Sequence, residues 1–205
     1  MEFEIREQPD SPLRLVAFKD PKRPLPGSPI TIRNDGGSVI VAFVLRVDVE
    51  PYGISHVVFL GQKGLAVGES KVQGMGMPRL IDDTAKPAIS IDYVQFADGS
   101  SWGDDALGKG KAVKDFLAGR ALALSRLKEL LAGQDDSDYQ RTFDVFSSSS
   151  FSEPNLPTPR GPGIMDWGAR GYEEIINLLR RMPRRSEEAK DLARKLEIMA
   201  AQPDH

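Results

Sequence analysis

Three carboxylates lie close together in the segment 98–105, which begins with Asp98 and ends with Asp104 and Asp105. Calcium takes several oxygen ligands, so these three aspartates are candidate calcium ligands. The segment lacks the alternating acidic residues and the final Glu of an EF-hand loop. Asp98 and the glycine after it also form a strong turn pattern. The favoured interpretation is therefore a tight turn in which Trp102 packs inward and the later aspartates lead into a helix.

The arginines form one local cluster, made of Arg180, Arg181, Arg184 and Arg185. Guanidinium groups bind phosphate and carboxylate, so these four residues are candidates for binding an anionic partner. The net charge of the whole chain is -3, which gives no broad basic surface for nucleic acid. The cluster spans a predicted helix end, where cations complement the helix dipole. Helix capping is the favoured interpretation, and we expect no nucleic-acid partner.

Groups that commonly carry out catalysis are sparse. The chain has no cysteine and two histidines, His56 and His205, which excludes disulfides, cysteine-based zinc sites and thiol nucleophiles. A Ser-His-Asp triad would depend on His56, and the sequence has no Gly-x-Ser-x-Gly elbow. The glycines at 61–64 and 74–76 match neither nucleotide-binding fingerprint, so we expect no cofactor. Paired carboxylates could hydrolyse glycosides, but no pair stands out among the 30 acidic residues.

Six aromatic side chains are candidates for lining a ligand groove: Trp102, Tyr139, Phe143, Phe146, Phe151 and Trp167. Buried aromatic residues also dominate the contacts that hold elements together. The favoured interpretation is that these residues attach the later helices and connecting segments to the strands.

The elements that position these residues begin with strands. The segment 38–50 is apolar on both faces at first, and Arg46 and Asp48 then make one face polar. This pattern predicts a strand buried on two faces in its first half and on one in its second. The turn residues at 34–37 predict a hairpin with the preceding strand. In 88–96 the apolar parity changes, which predicts a β-bulge or a twist near Tyr93.

Seven or eight short strands without intervening helices predict an antiparallel β-sandwich over residues 1–105, with a β-barrel as the alternative. Residues 106–205 are predicted to be a helical region. Helical spacing of apolar residues predicts a helix at about 110–132 that ends before Gly133, and a helical hairpin at about 169–201. The serines and prolines between them predict an irregular strap over 134–165.

The segment 94–102, VQFADGSSW, together with Asn34-Asp35-Gly36 and residues 65–70, resembles the Ig-like domain of uncharacterised bacterial proteins. The resemblance extends over residues 29–105. It implies an Ig-like sandwich, and it implies an extracytoplasmic address because many of those proteins are predicted to be exported. Residues 1–6 are not a secretion signal, so this address requires that a signal peptide was removed. No apolar run is long enough to span a bilayer.

The sequence thus predicts a β-rich α+β protein, in which an N-terminal Ig-like antiparallel β-sandwich is followed by a helical C-terminal region. The leading functional hypothesis is a non-catalytic binding or structural module. One alternative is a carbohydrate-active hydrolase that uses acidic residues. Another is a helix-mediated interaction module, whose partner would be another protein or a second copy of the chain.

Overall fold

The computed structural model describes residues 4–17, 30–49, 52–73, 87–146, 149–155, 166–182 and 186–202. The fold is α+β, with strands mainly in the N-terminal part and helices in the C-terminal part. The chain divides into two compact units. The first comprises Met1–Gly110 and Ser149–Gly161, and the second comprises Lys111–Ser148 and Pro162–His205.

The first unit contains two mostly antiparallel sheets among its described residues. The larger sheet has the strand order β1 (Glu4–Ile5), β7 (Ala88–Phe96), β4 (Ile40–Val49), β5 (Tyr52–Phe59) and β9 (Ser149–Asn155), and β8 (Ser101–Trp102) also pairs with β7. The smaller sheet has the order β2 (Leu13–Ala17), β3 (Ile30–Asn34) and β6 (Ser70–Gln73). Within these ranges, only β1 and β7 run parallel to each other.

Both sheets contribute side chains to one hydrophobic cluster, which includes Leu13 and Ile32 from the smaller sheet and Phe43, Leu45 and Ile91 from the larger. Burial of these apolar faces is the main force that holds the sheets together. The predicted burial of β4 is confirmed. Residues 42–45 are fully buried, whereas the polar residues at 46 and 48 are partly exposed.

The predicted irregularity near Tyr93 is also confirmed. Val44 pairs with Tyr93, but its neighbour Leu45 pairs with Ile91, so Asp92 is an extra residue in β7. This β-bulge moves Asp92 out of the regular alternation, and bulges commonly redirect a side chain in this way.

The hairpin predicted around residues 34–37 is wrong, because β3 and β4 lie in different sheets. The Asn34 side chain is buried and donates hydrogen bonds to the carbonyl oxygens of Ser38 (2.9 Å) and Leu65 (2.8 Å). Its own oxygen accepts a hydrogen bond from the Gly36 amide (3.0 Å). The turn residues therefore direct the chain from one sheet to the other, and β4 pairs with β5 and β7 instead.

The second unit contains the helices α1 (Gly110–Leu130, from Lys111 onward), α2 (Ser137–Phe146), α3 (Trp167–Arg180) and α4 (Ser186–Ala201). Their apolar faces form one buried cluster, as the helical spacing predicts. Gly133 has a positive φ of 82°, which fits its predicted place after the first helix.

The irregular strap predicted over 134–165 needs correction, because this segment contains α2 and β9. Tyr139 and Phe143 of α2 are buried in the helical cluster, which stabilises a short helix beyond its intrinsic propensity. Strand β9 pairs with β5, and no described strand pairs with its other edge. Proline is tolerated on an edge strand because its missing N–H removes no hydrogen bond there, so Pro154 does not prevent β9 from forming.

Candidate functional site

The first unit carries a polar groove of about 620 Å³. One wall is the segment 6–10, and the other is formed by Trp102 and Asp104 in β8 and the loop after it. Arg46 and Asp92, from the neighbouring strands β4 and β7, form its base. The volume lies within the roughly 300–1,000 Å³ that is typical of sites for small molecules. We call this feature, with the lining residues just named, the groove.

The loop wall is fixed by its own backbone. Gly103 has a φ of 104°, and a Cβ at this position would lie 2.4 Å from the carbonyl oxygen of Asp92, so only glycine fits. Asp105 Oδ1 accepts hydrogen bonds from the amides of Lys109 (2.7 Å) and Gly110 (2.8 Å), just where α1 begins. The loop is therefore tied to β7 at one end and to the helix start at the other.

The opposite wall is fixed by Gln8. Its side-chain Nε2 donates to the carbonyl oxygen of Ile91 (2.9 Å), and its Oε1 accepts from the Ile91 amide (2.6 Å). The side chain thus pairs with β7 as a neighbouring strand would. β1 pairs with the start of the same edge, at Ala88 and Ile89, so the edge is covered next to the groove.

Two arginines that line the groove, Arg6 and Arg46, are joined by one carboxylate outside the lining, Asp48. Asp48 Oδ1 accepts a hydrogen bond from Arg46 Nε at 2.7 Å, and Asp48 Oδ2 forms an ion pair with Arg6 Nη1, also at 2.7 Å. The hydrogen bond to Asp48 is the main cause that raises the pKa of Arg46, and the nearby charge of Asp92 adds to it. Leu45 and Val47 belong to the core cluster, so strand alternation places residues 46 and 48 on the opposite face of the sheet.

Asp92 is the most buried carboxylate of the groove, with 7% of its surface exposed. Burial disfavours its charged form and raises the pKa of Asp92, and the negative charge of Asp105 acts in the same direction. The Leu107 amide, which donates to Asp92 Oδ2 at 3.1 Å, and the charge of Arg46 oppose this rise. The carboxyl group therefore both anchors the loop and lines the groove.

The predicted site residues of the segment 98–105 have different surroundings. Trp102 and Asp104 line the groove. Asp98 accepts hydrogen bonds from the Ser100 amide (2.9 Å) and hydroxyl (2.5 Å), which lower the pKa of Asp98 and form the predicted turn. Within the described ranges, no three His, Cys, Asp or Glu side chains are grouped so that they could hold a metal ion. Asp98, Asp104 and Asp105 stay candidate calcium ligands, with the turn as the favoured interpretation.

The arginine cluster lies partly outside the described residues, because Arg184 and Arg185 are not among them. Arg180 forms an ion pair with Glu197 of α4. Arg181 is exposed at the C-terminal end of α3, and its amide donates to the Leu178 carbonyl oxygen at 3.1 Å. The two described arginines thus serve the helix end and the contact between α3 and α4.

Tyr139 and Trp167 lie in the interior of the second unit. Tyr139 is 1% exposed in the helical cluster. Trp167 is 9% exposed and contacts the ring of Phe116 edge-on, with 6.4 Å between the ring centroids. Both side chains stabilise the packing of the helices.

The second unit also has an open groove of about 960 Å³ between α1, α3 and α4. Leu122 lines it and is 44% exposed, and charged residues such as Lys111 and Glu173 lie around it. This surface is the structural feature to which the helix-mediated interaction hypothesis would apply.

Sequence reasoning missed Arg6, Gln8, Arg46 and Asp92 as site residues. The sequence around Asp92 could have indicated its role, because Asp92 is a carboxylate in a mostly apolar strand, at the point where the alternation of apolar residues shifts by one position. No local sequence pattern could have indicated Gln8, since its partner Ile91 is 83 positions away along the chain.

Comparison of the chain with protein-family models, with curated proteins and with solved structures finds no match. The resemblance to Ig-like bacterial domains therefore remains a hypothesis. None of the helices, over the residues that the structure describes, is long and apolar enough to cross a membrane.

Proposed function

We propose that the chain is a non-catalytic binding module whose ligand occupies the groove. We further propose that its two sheets form an Ig-like sandwich, an interpretation supported by the single hydrophobic cluster to which both sheets contribute. Fold alone would not assign a function. The proposal therefore depends on the groove.

The observation that carries this function is that both walls of the groove are built in advance. Gln8 fixes one wall to Ile91, and the hydrogen bonds of Asp105 fix the other. Arg6 and Arg46 are each held by Asp48. A site whose polar groups are already positioned loses less conformational entropy when a ligand binds, which favours affinity.

Binding is favoured over catalysis because the buried carboxylate of the groove already has a structural partner. Asp92 accepts a hydrogen bond from the amide of Leu107. A general acid or base must reach the reacting atoms within hydrogen-bond distance. Asp92, with 7% of its surface exposed, presents little of its carboxyl group to a substrate.

The two tryptophans provide a direct test, since Trp102 lies in the first unit and Trp167 in the second. Protein labelled with 5-fluorotryptophan should give two fluorine resonances, which the variants Trp102→Phe and Trp167→Phe assign. A mixture of neutral sugars, amino acids, polyamines and inorganic anions is then added. We expect at least one class of compound to shift the Trp102 resonance while Trp167 stays in place. If neither resonance moves, or if only Trp167 moves, the groove is not a binding site.

A carbohydrate-active hydrolase is a second candidate, and one observation favours it. Burial raises the pKa of Asp92, as a general acid requires, and the exposed carboxylate of Asp104 lines the same groove. Release of reducing ends from starch and xylan tests this candidate. Activity that is lost in Asp92→Asn but kept in Asp98→Asn, a turn aspartate outside the groove, would replace the binding proposal. Equal rates with and without the protein would reject hydrolysis.

A further inference from the structure

The charges at the base of the groove nearly balance. The guanidinium groups of Arg6 and Arg46 line the groove together with the carboxyl group of Asp92, and Asp48, which is not part of the lining, pairs with both arginines. A base of this kind presents donors and acceptors side by side without a strong net field for an ion of either sign. A ligand that binds there must therefore gain its affinity from hydrogen bonds rather than from its own charge.

The rim of the groove disfavours anions. Glu7, Asp10 and Asp104 line it, and all three side chains are exposed. A phosphate, sulfate or uronate would approach these carboxylates before it reached the arginines. Like charges repel at this range, particularly at low ionic strength. The same carboxylates are good acceptors for neutral O–H donors.

The arginines retain hydrogen-bonding capacity. Arg6 contacts Asp48 through Nη1 and Arg46 contacts it through Nε, and both side chains are about half exposed. A guanidinium group has five N–H donors. Within the described part of the chain, Arg46 donates a hydrogen bond to Asp48, and Arg6 forms an ion pair with the same carboxylate. Neighbouring donors and carboxylate acceptors match the paired hydroxyl groups of a sugar ring, each of which both donates and accepts.

Trp102 adds an apolar surface to this polar groove. Its side chain is half-buried and packs against the core cluster of the first unit, and β8 pairs it with Val94. The ring is thus held in place where it lines the groove. Indole rings combine a large apolar surface with low conformational entropy, and the C–H groups of a pyranose face can pack on such a ring.

We propose, resting on the binding function proposed above, that the groove ligand is a neutral carbohydrate whose hydroxyl groups bind Arg6 and Arg46 and whose ring packs against Trp102. The volume of about 620 Å³ and its open form suit a short stretch of sugar units. A cation would be attracted by the rim but would meet two arginines at the base, so it is the competing ligand class.

Titration of the Trp167→Phe variant tests the ligand class, because Trp102 is then its only tryptophan. The probes are cellotetraose, xylotetraose, maltotetraose and chitotetraose, each to 10 mM, with spermine and sodium sulfate as charged probes. We expect at least one tetrasaccharide to change the Trp102 emission with saturation, and sulfate to have no effect. Saturation by spermine alone or sulfate alone would overturn the carbohydrate assignment and leave the binding groove intact. No response to any probe would overturn both proposals.

Variants of matched arginines locate the binding. Arg6 and Arg33 have nearly equal side-chain exposures of 53% and 51%, and each is paired with an aspartate, but only Arg6 lines the groove. By calorimetry with the bound tetrasaccharide, we expect Arg6→Gln to raise Kd at least fivefold and Arg33→Gln to leave it unchanged. Trp102→Ala should raise Kd at least tenfold, and circular dichroism checks its fold. Equal Kd values for Arg6→Gln and Arg33→Gln would refute the proposed contacts, and this comparison does not depend on the folding of Trp102→Ala.

Discussion

The contact between α1 and α3 gives a sharp prediction, because a glycine allows the two backbones to touch. A Cβ added at Gly171 would lie 2.0 Å from the carbonyl oxygen of Phe116 and 3.1 Å from the amide nitrogen of Arg120. Ordinary contacts of a Cβ atom begin at 3.4 Å. The obstacle is helix backbone rather than a flexible side chain, so Gly171→Ala would force the helices apart by about 1.4 Å or bend one of them.

Gly171→Ala has two opposing effects on the free energy of unfolding, an overpacking cost and a gain in helix propensity. Overpacking of a well-packed interior costs about 1–3 kcal/mol and sometimes more, and the separated helices would also lose dispersion contacts. Alanine in place of glycine gains up to about 1 kcal/mol of helix propensity. We therefore expect Gly171→Ala to lower the free energy of unfolding by about 2 kcal/mol. For a unit of about 80 residues, this corresponds to a fall in Tm of about 8–16 °C.

Gly168→Ala is the matched control on the same helix. A Cβ there would lie 3.4 Å from Asp166 Oδ1 and 3.7 Å from the Asp115 carbonyl oxygen, which are ordinary contacts. We expect this variant to keep or raise the Tm. Both changes are made in the Trp102→Phe background, so that Trp167 fluorescence reports the second unit alone. A Gly171→Ala protein that melts at or above the temperature of Gly168→Ala would refute the close approach.

Three other predictions concern polar groups that are buried or partly buried. Burial lowers the pKa of His56 from 6.5 to about 4. Between these two pH values, His56 is protonated in the unfolded chain but neutral in the folded chain. The free energy of unfolding should therefore fall by about 3 kcal/mol from pH 6.5 to pH 4. Urea titrations at several pH values should show a smaller fall in His56→Gln, which lacks the imidazole. An equal fall in both proteins would contradict a lowered pKa for His56. Arg120 Nε lies 3.0 Å from Glu174 Oε2, and the Arg120 side chain is 5% exposed. Glu174→Gln leaves the buried guanidinium without its counter-charge, so it should lower the free energy of unfolding by about 3–5 kcal/mol, measured by Trp167 fluorescence. Replacing both Arg120 and Glu174 by methionine should recover most of this loss. A single variant as stable as the wild type would argue against this pair. Gln8→Ala should cost about 1 kcal/mol and speed hydrogen exchange at the Ile91 amide, which loses its acceptor; unchanged exchange at that amide would mean that another group protects it.

The sequence was sufficient to predict those elements whose burial and shape follow from the local spacing of apolar residues. In β4, the change from apolar residues to Arg46 and Asp48 on one face matched the burial that the structure has. The parity change in β7 correctly indicated a bulge, because the period of a strand is two residues and an extra residue inverts it. Helical spacing likewise indicated the apolar faces that form the cluster of the second unit.

The errors arose where a side chain or a distant strand decides the structure. The turn at 34–37 has hairpin composition, but the bond from Asn34 to the Leu65 carbonyl oxygen spans 31 positions and no local pattern reports it. The pairing of β9 with β5 overrides a composition typical of loops, as strand propensity depends strongly on context. The groove depends on Gln8 and Ile91 in the same way. Local sequence therefore indicated Trp102 and Asp104 but not Arg6, Arg46 and Asp92, which line the same groove.

The first unit is discontinuous along the chain, and this has a consequence for its synthesis. Strand β5 ends at Phe59, but its partner β9 begins only at Ser149. A ribosome that makes about 5–20 residues per second needs several seconds to supply the eighty-nine residues between them. During that delay β5 has an unpaired edge that can recruit other nascent chains. Chaperone dependence of newly made protein should therefore be greatest in this interval, and release of chains truncated just before β9 should favour inclusion bodies.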